Sequence, residues 1–162
     1  FDPNLKPSST LEYESHGAYI ESPMILSVSG EPVNNLVSGR SYRYVYTVRF
    51  TEDVSNVRFG MLIKTTSGME LGGATSDRTS TNGEENLKRG SLVRIEYQFT
   101  CFLGSGLYFL NAGVSGSVAG EFKHLHRILD AVCFRVVDSR SDYQTGIIDF
   151  SCYPEILLKS EK

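Results

Sequence analysis

The sequence predicts an all-β protein, an antiparallel β-sandwich of seven or more short strands. Three observations carry this. Apolar and polar residues alternate with period two from Gly17 onward, the period of a strand with one buried face. Gly- and Ser-rich turns punctuate these runs at short intervals. No stretch of about 12 residues sustains a 3.6 period. A barrel satisfies the same alternation, but the uneven loop lengths favour two sheets packed face to face.

In order along the chain, residues 1–15 are polar, carry Pro3 and Pro7, and read as a linker or N-terminal arm. The sandwich is expected over 16–155 and a C-terminal tail over 156–162. "AYIESPMILSVS" (18–29) gives one or two strands. "YRYVYTVRF" (42–50) sets Tyr42, Tyr44, Tyr46, Val48 and Phe50 on one side and Arg43, Val45, Thr47 and Arg49 on the other. Such aromatic and β-branched residues favour strands. "VRFGMLIKT" (57–65) faces Val57, Phe59, Met61 and Ile63 inward, and a turn at Ser67-Gly68 leads to another short strand. "ATSDRTSTNGEEN" (74–86) is a polar loop, long enough to be functional. "SLVRIEYQFTC" (91–101) buries Val93, Ile95, Tyr97 and Phe99. "GLYFLNAGV" (106–114) buries Tyr108, Leu110, Ala112 and Val114, leaving Phe109, Asn111 and Gly113 outside. "GEFKHLHRILDAV" holds at most one helical turn, "ILDAVCFRVV" (128–137) buries Val132, Phe134 and Val136, and "TGIIDF" (145–150) is a last strand.

Composition narrows the function. The 162 residues carry a net charge of −3, with 40% hydrophobic and 22% charged residues. That is an ordinary globular balance with neither an acidic tail nor the basic stripe of a nucleic-acid binder. The apolar runs are too short to span a membrane. Three widely spaced cysteines, Cys101, Cys133 and Cys152, fit reduced thiols better than a disulfide framework or a zinc site. A phosphate-binding GxxxxGK[ST] loop, a GxGxxG turn and a GxSxG nucleophile elbow are all missing. The acidic residues form no evident catalytic pair. His124 and His126, at i and i+2, would share a strand face, but no third ligand stands near them in sequence. No enzyme and no cofactor or metal is expected.

The succession "HGAYIESPMIL", "GEPVNNLVSGRSYRYVYTVRF", "VRFGMLIKTTSGMELGG", "LKRGSLVRIEYQFTCFLGSGLYFLNAGV", "LDAVCFRV" and "TGIIDF" resembles the C-terminal domain of Wzt-type proteins, the ATP-binding subunits of O-antigen ABC transporters. The features that carry it are Gly17-x-x-Ile20, "LVSGRSY", the "SGMELGG" hairpin, "LGSGLYFLNAGV", Asp130 before the penultimate strand and the closing "GIIDF". The resemblance spans roughly residues 15 to 155. It implies an immunoglobulin-like sandwich, non-catalytic, that recognises the modified non-reducing end of O-antigen polysaccharide and so licenses export. It also implies a homodimer formed by exchange of a C-terminal strand, Gly146, Ile147, Ile148, Asp149 and Phe150. Further partners would be an ATPase domain of the same chain and a transmembrane transporter subunit. The place would be the cytoplasmic side of the bacterial inner membrane.

Alternation suggests where a glycan would sit. On the sheet holding 57–65, 106–114 and 128–137, the outward residues are Arg58, Gly60, Leu62 and Lys64, then Phe109, Asn111, Gly113 and Ser115, then Ala131, Cys133 and Arg135. Strand glycines mark close approach by a ligand. Gly60, Gly113 and Ala131 are therefore expected to floor a groove, with Arg58, Lys64, Asn111, Ser115 and Arg135 lining it. Phe109 would stack on a sugar ring, the loop with Thr75, Asp77 and Arg78 would close one end, and His124 with His126 the other. A bulge between Gly104 and Gly106 would slip the register and turn Phe109 inward. The outer face of the other sheet (Arg43, Val45, Thr47, Arg49, Arg94, Glu96 and Gln98) is the competing location. Two other readings stand beside recognition: a purely structural dimerisation domain, and a binding module of a carbohydrate-active enzyme.

Overall fold

The computed structural model describes residues 1–76, 86–137 and 144–160. Two sheets pack face to face, and the described residues contain no helix. The larger sheet runs in the order β1 (Leu11–Glu12), β11 (Glu121–Val137), β10 (Gly106–Val118), β6 (Val54–Thr65), β7 (Glu70–Thr75). Two short strands attach to it: β4 (Asn35–Val37) on β11 and β8 (Asn86–Leu87) on β6. The smaller sheet runs β3 (Pro32–Val33), β2 (Ala18–Leu26), β5 (Ser41–Phe50), β9 (Leu92–Thr100). Every pairing is antiparallel except β4 with β11.

The alternation read from the sequence holds in the strands that build the core. Tyr42, Tyr44, Tyr46, Val48 and Phe50 of β5 are buried, as are Val57, Phe59 and Met61 of β6. Tyr108, Leu110, Ala112 and Val114 of β10 are buried too, and Phe109, Asn111 and Gly113 face the other way. Tyr108 stacks on Phe134 and donates to the Gly104 carbonyl at 2.8 Å, which fixes the register that a bulge before it would have reversed.

Tyrosines tie the two sheets together. Tyr44 and Tyr97 stack, and Tyr46 meets both. The Tyr46 hydroxyl lies 2.7 Å from the Gly60 carbonyl and 3.0 Å from that of Gly113. The Tyr97 hydroxyl is 2.9 Å away and completes the chain. A buried hydroxyl needs such partners, since an unpaired one costs a few kcal/mol. Burial pushes the Tyr46 phenol up to about 12, against the hydrogen bonds to Tyr97, Gly113 and Gly60, which pull it down.

Four expectations are corrected. "GEFKHLHRILDAV" is strand, because β10 and β11 form one long hairpin. Its turn residues Ala119 and Gly120 both have positive φ (52° and 82°), the two-residue geometry that matches strand twist. Asp130 lies inside β11, not before a strand, and itself has φ of 52°. The segment 145–150 forms a single bridge, Ile148 to Leu103, rather than a strand. Finally, the polar arm is not a free linker. Leu11 and Glu12 pair with Leu129 and Ile128. Asp2 and Asn34 exchange two hydrogen bonds, at 2.8 and 2.7 Å.

Tyr46→Phe is expected to cost about 1–2 kcal/mol, the worth of a buried hydrogen bond, read as a lower urea midpoint at unchanged slope. The phenol is raised in the folded state, so its contribution is complete below the ordinary tyrosine value of about 10. It is lost as pH rises toward about 12. The stability difference between the parent and Tyr46→Phe should therefore shrink between pH 9 and pH 12.

Candidate functional site

The outer face of the larger sheet is built in rows that follow the strand register. Arg58, Ser115 and His124 stand opposite one another across β6, β10 and β11. The next row is Thr75, Gly60, Gly113 and Arg127. After it come Gly73, Leu62 and Asn111, then Glu70, Lys64, Phe109 and Cys133. Arg135 pairs with Leu107, beyond Phe109.

The middle of this face is an open trough. A Cβ added to Gly113 would meet no atom within 4 Å, and one at Gly60 would only touch Ala74 and Thr75 at 3.9 Å. Gly60 and Gly113 are directly opposed, so the floor is bare backbone across two strands. Around it stand Ser115, Thr75 and the amide of Asn111. Arg58 lies over the ring of Phe122 (5.6 Å) and Arg127 over that of Tyr13 (5.3 Å).

The other half of the face is closed. Opposite Asn111, β11 inserts Leu129, Asp130 and Ala131 where one residue would keep the register. The Asn111 Oδ1 fills the irregularity by accepting from the Asp130 N–H at 2.9 Å. The Asp130 carboxylate meets Lys64 Nζ at 2.6 Å and accepts from the Ser9 hydroxyl at 2.5 Å, and its carbonyl accepts from Thr10 at 2.7 Å. The arm thus lies against β11 here. Cys133 is buried although it points away from the core. Burial first of all raises its thiol pKa, with Arg135 opposing and Asp130 adding.

These positions sort the sequence expectations. Arg58, Gly60, Asn111, Gly113, Ser115 and His124 come together around the trough. Lys64 faces it but is committed to Asp130. Phe109 faces outward, half-buried, at the closed side. Arg135 lies further along, bonded to Asn35 at 3.2 Å and 4.0 Å from Asp2. Ala131 does not floor the trough: the insertion displaces it, and Arg127 occupies the place beside Gly113. Asp77 lies outside the described residues, as does Arg78.

His124 and His126 do not share a face. An extra residue, Leu125, sits between the pairs Ser115–His124 and Val114–His126, so His126 turns inward. There its Nδ1 accepts from the Ile20 N–H at 2.8 Å and its Nε2 lies 3.1 Å from Glu12. It is a strut between the sheets and the arm. The described residues hold no cluster of three or more ligands for a metal.

Larger cavities lie elsewhere. Two clefts of about 600 and 620 Å³ share Val28, Ser41 and Tyr42 at one end of the sandwich, the first reaching Arg43, Gln98 and Phe99. A third, of about 270 Å³, is lined by Tyr13, Glu14, His16, His124, His126 and Arg127 at the margin of the trough.

The family model described as the Wzt C-terminal domain matches residues 9–150. Among solved structures, the crystal structure of the C-terminal domain of wzt superposes with a TM-score of 0.77 at 25% identity, covering 94% of this chain and 92% of that one. A Niemann-Pick type C2 protein from Japanese carpenter ant gives 0.47 at 9% identity, over 78% and 98% of the two chains. No curated protein matches the sequence.

Breaking the Lys64–Asp130 pair should be costly, because it leaves a buried charge uncompensated. Lys64→Met is expected to destabilise by about 3 kcal/mol in chemical denaturation. Arg58→Gln, at an exposed position, should stay within about 0.5 kcal/mol of the parent.

Proposed function

Because the chain belongs to the Wzt C-terminal domain family, and so to the O-antigen ABC transporter, we propose that it recognises the non-reducing end of O-antigen polysaccharide in the Gly60–Gly113 trough. The reading is non-catalytic: binding of the finished glycan couples it to export. The observation that carries it is the bare floor ringed by donors. A pyranose can lie on backbone that has no side chains above it. Among the described residues, the hydroxyls of Ser115 and Thr75, the Nδ2 of Asn111 and both guanidiniums make no hydrogen bond or ion pair within the chain, which leaves them free for sugar oxygens. Selectivity then comes from donors left unpaired by a wrong sugar. Affinity for one chain end is modest, since sugar hydroxyls exchange water bonds for protein bonds at small net gain.

Homodimerisation through the C-terminal segment belongs to the same proposal. Within this chain, Ile148 bridges Leu103, and the Gly104 N–H donates to the Ile147 carbonyl at 2.7 Å. Beyond that bridge the chain is exposed and apolar: Phe150, Tyr153, Ile156, Leu157 and Leu158 are each at least 75% exposed. Five such side chains in water are costly, at about 1.5–3 kcal/mol gained for each large one buried. A second copy offers edge strands to receive them. Two sites in a dimer would raise apparent affinity for glycan displayed in an array. The remaining partners in this reading are an ATPase domain and a transmembrane subunit, with the domain on the cytoplasmic side of the inner membrane. No helix among the described residues is long and apolar enough to cross a membrane.

Gly113→Val separates recognition from folding. The position is open and its φ is not in the left-handed region, so the variant should fold with at least the parent's melting temperature. Titration by calorimetry with purified O-polysaccharide should show binding lost, by tenfold or more in Kd. Equal binding by parent and variant would place the glycan elsewhere, the Arg43–Gln98–Phe99 cleft being the first alternative. For the dimer, removing residues 145–162, which carry the exchanged segment, should give a monomer or an unfolded chain by light scattering and circular dichroism. A persistent dimer contradicts the exchange.

A further inference from the structure

We infer that the sugar end held in this trough carries a negative charge, a carboxylate or a phosphate. The inference rests on the glycan reading of the trough and goes beyond it by naming the chemistry of the ligand.

The distribution of charge on the outer face leads there. Arg58 and Arg127 border the Gly60–Gly113 floor from opposite sides, one on β6 and one on β11. From strand spacing and rise, their Cα atoms stand roughly 12 Å apart, a span two long side chains can close on one small anion. Neither forms an ion pair among the described residues. Other arginines do: Arg43 and Arg94 with Glu96, Arg49 with Glu21, and Arg135 toward Asp2. The carboxylate on this face nearest the trough, Asp130, is neutralised by Lys64 at 2.6 Å. Glu12, exposed on the edge strand, pairs with the inward-facing Ile128, and its carboxylate lies 3.1 Å from His126 Nε2. Glu14 lines the cleft beside Arg127 but forms no ion pair with it, so among the described residues the floor is bordered by two unpaired arginines, in a chain whose net charge is −3.

The arginines are also prepared for the task. Each guanidinium lies over a ring, which limits its motion while leaving its N–H edge free. That edge matches the two oxygens of a carboxylate or phosphate, giving short, charge-assisted bonds. Ser115 adds a neutral donor between them, and the Asn111 Nδ2 another one row beyond Arg127. The hydroxyls of Ser115 and Thr75 can give or accept hydrogen bonds, whereas the two guanidiniums only give them, as an anion requires.

Amide NMR titration of the domain with four probes tests this: methyl glucoside, glucuronate, glucose 6-phosphate and inorganic phosphate. The expected result is that one or both charged sugars shift the Gly60, Gly113 and Ser115 amides at least tenfold more tightly than methyl glucoside. The tighter of the two names the anion. Arg58→Gln and Arg127→Gln should each bring that ratio down toward one, and 0.5 M salt should do the same to the parent. Equal binding of all three sugars overturns the charge and leaves the glycan reading standing. Inorganic phosphate binding as tightly as the sugar phosphate overturns it too, since the sugar then contributes nothing. Shifts confined to other residues, with intact polysaccharide still bound, remove the trough itself.

Discussion

The ion pair between Lys64 and Asp130 is the constraint on which the functional face depends. It lies on the solvent side of a sheet, yet both side chains are nearly buried. Burying two charges is unfavourable unless the geometry is close and the remaining oxygens are satisfied. Here the second carboxylate oxygen takes the Ser9 hydroxyl, and the Asp130 backbone is tied to Asn111 and Thr10. The cluster therefore joins three things: the middle of the sheet, the insertion in β11, and the arm that precedes the first long strand. Removing the Asp130 carboxylate would unpair Lys64 and Ser9 together.

The consequence for the face is a division into two halves. Where the arm lies against β11, the outward side chains are buried or committed to one another. Beside Gly113 the arm still runs along the edge of β11, its Tyr13 N–H donating to the Arg127 carbonyl at 2.9 Å, but there the two glycines leave backbone open to solvent. The insertion at Asp130 also decides which residue of β11 looks onto the floor. It replaces Ala131, a small and silent neighbour, with Arg127, a charged one. Beneath the floor, Tyr46 holds the carbonyls of Gly60 and Gly113 from the core side. The trough is thus rigid from below, which favours binding because less order has to be imposed on the protein when a ligand arrives.

Much of this is legible in the sequence, and the limits have physical causes. Alternation yields the strands of a sandwich and the outward placement of Phe109, Asn111 and Gly113. It does so because burial of one face dictates every second residue. What alternation cannot register is an extra residue. Leu125 and the Leu129–Ala131 insertion each break the count in β11, which separates His124 from His126 and hides Arg127. The left-handed residue at the insertion, Asp130, is not a glycine, so the usual marker is missing. The arm eludes sequence reading for another reason. Its polar residues look solvated, but their partners, Asn34 and Asp130, are remote along the chain. The open glycine pair leaves a clearer trace: the string "NAGVSGS" by itself announces an outer face with almost no side chains.

Glycan recognition on the Gly60–Gly113 face is open to measurement by methyl and amide NMR of the labelled domain with purified O-polysaccharide. The Gly60, Gly113, Thr75 and Ser115 amides are expected to shift together, saturating with a single dissociation constant. Shifts centred instead on Tyr42, Arg43, Gln98 and Phe99, with the glycine pair unmoved, would contradict it.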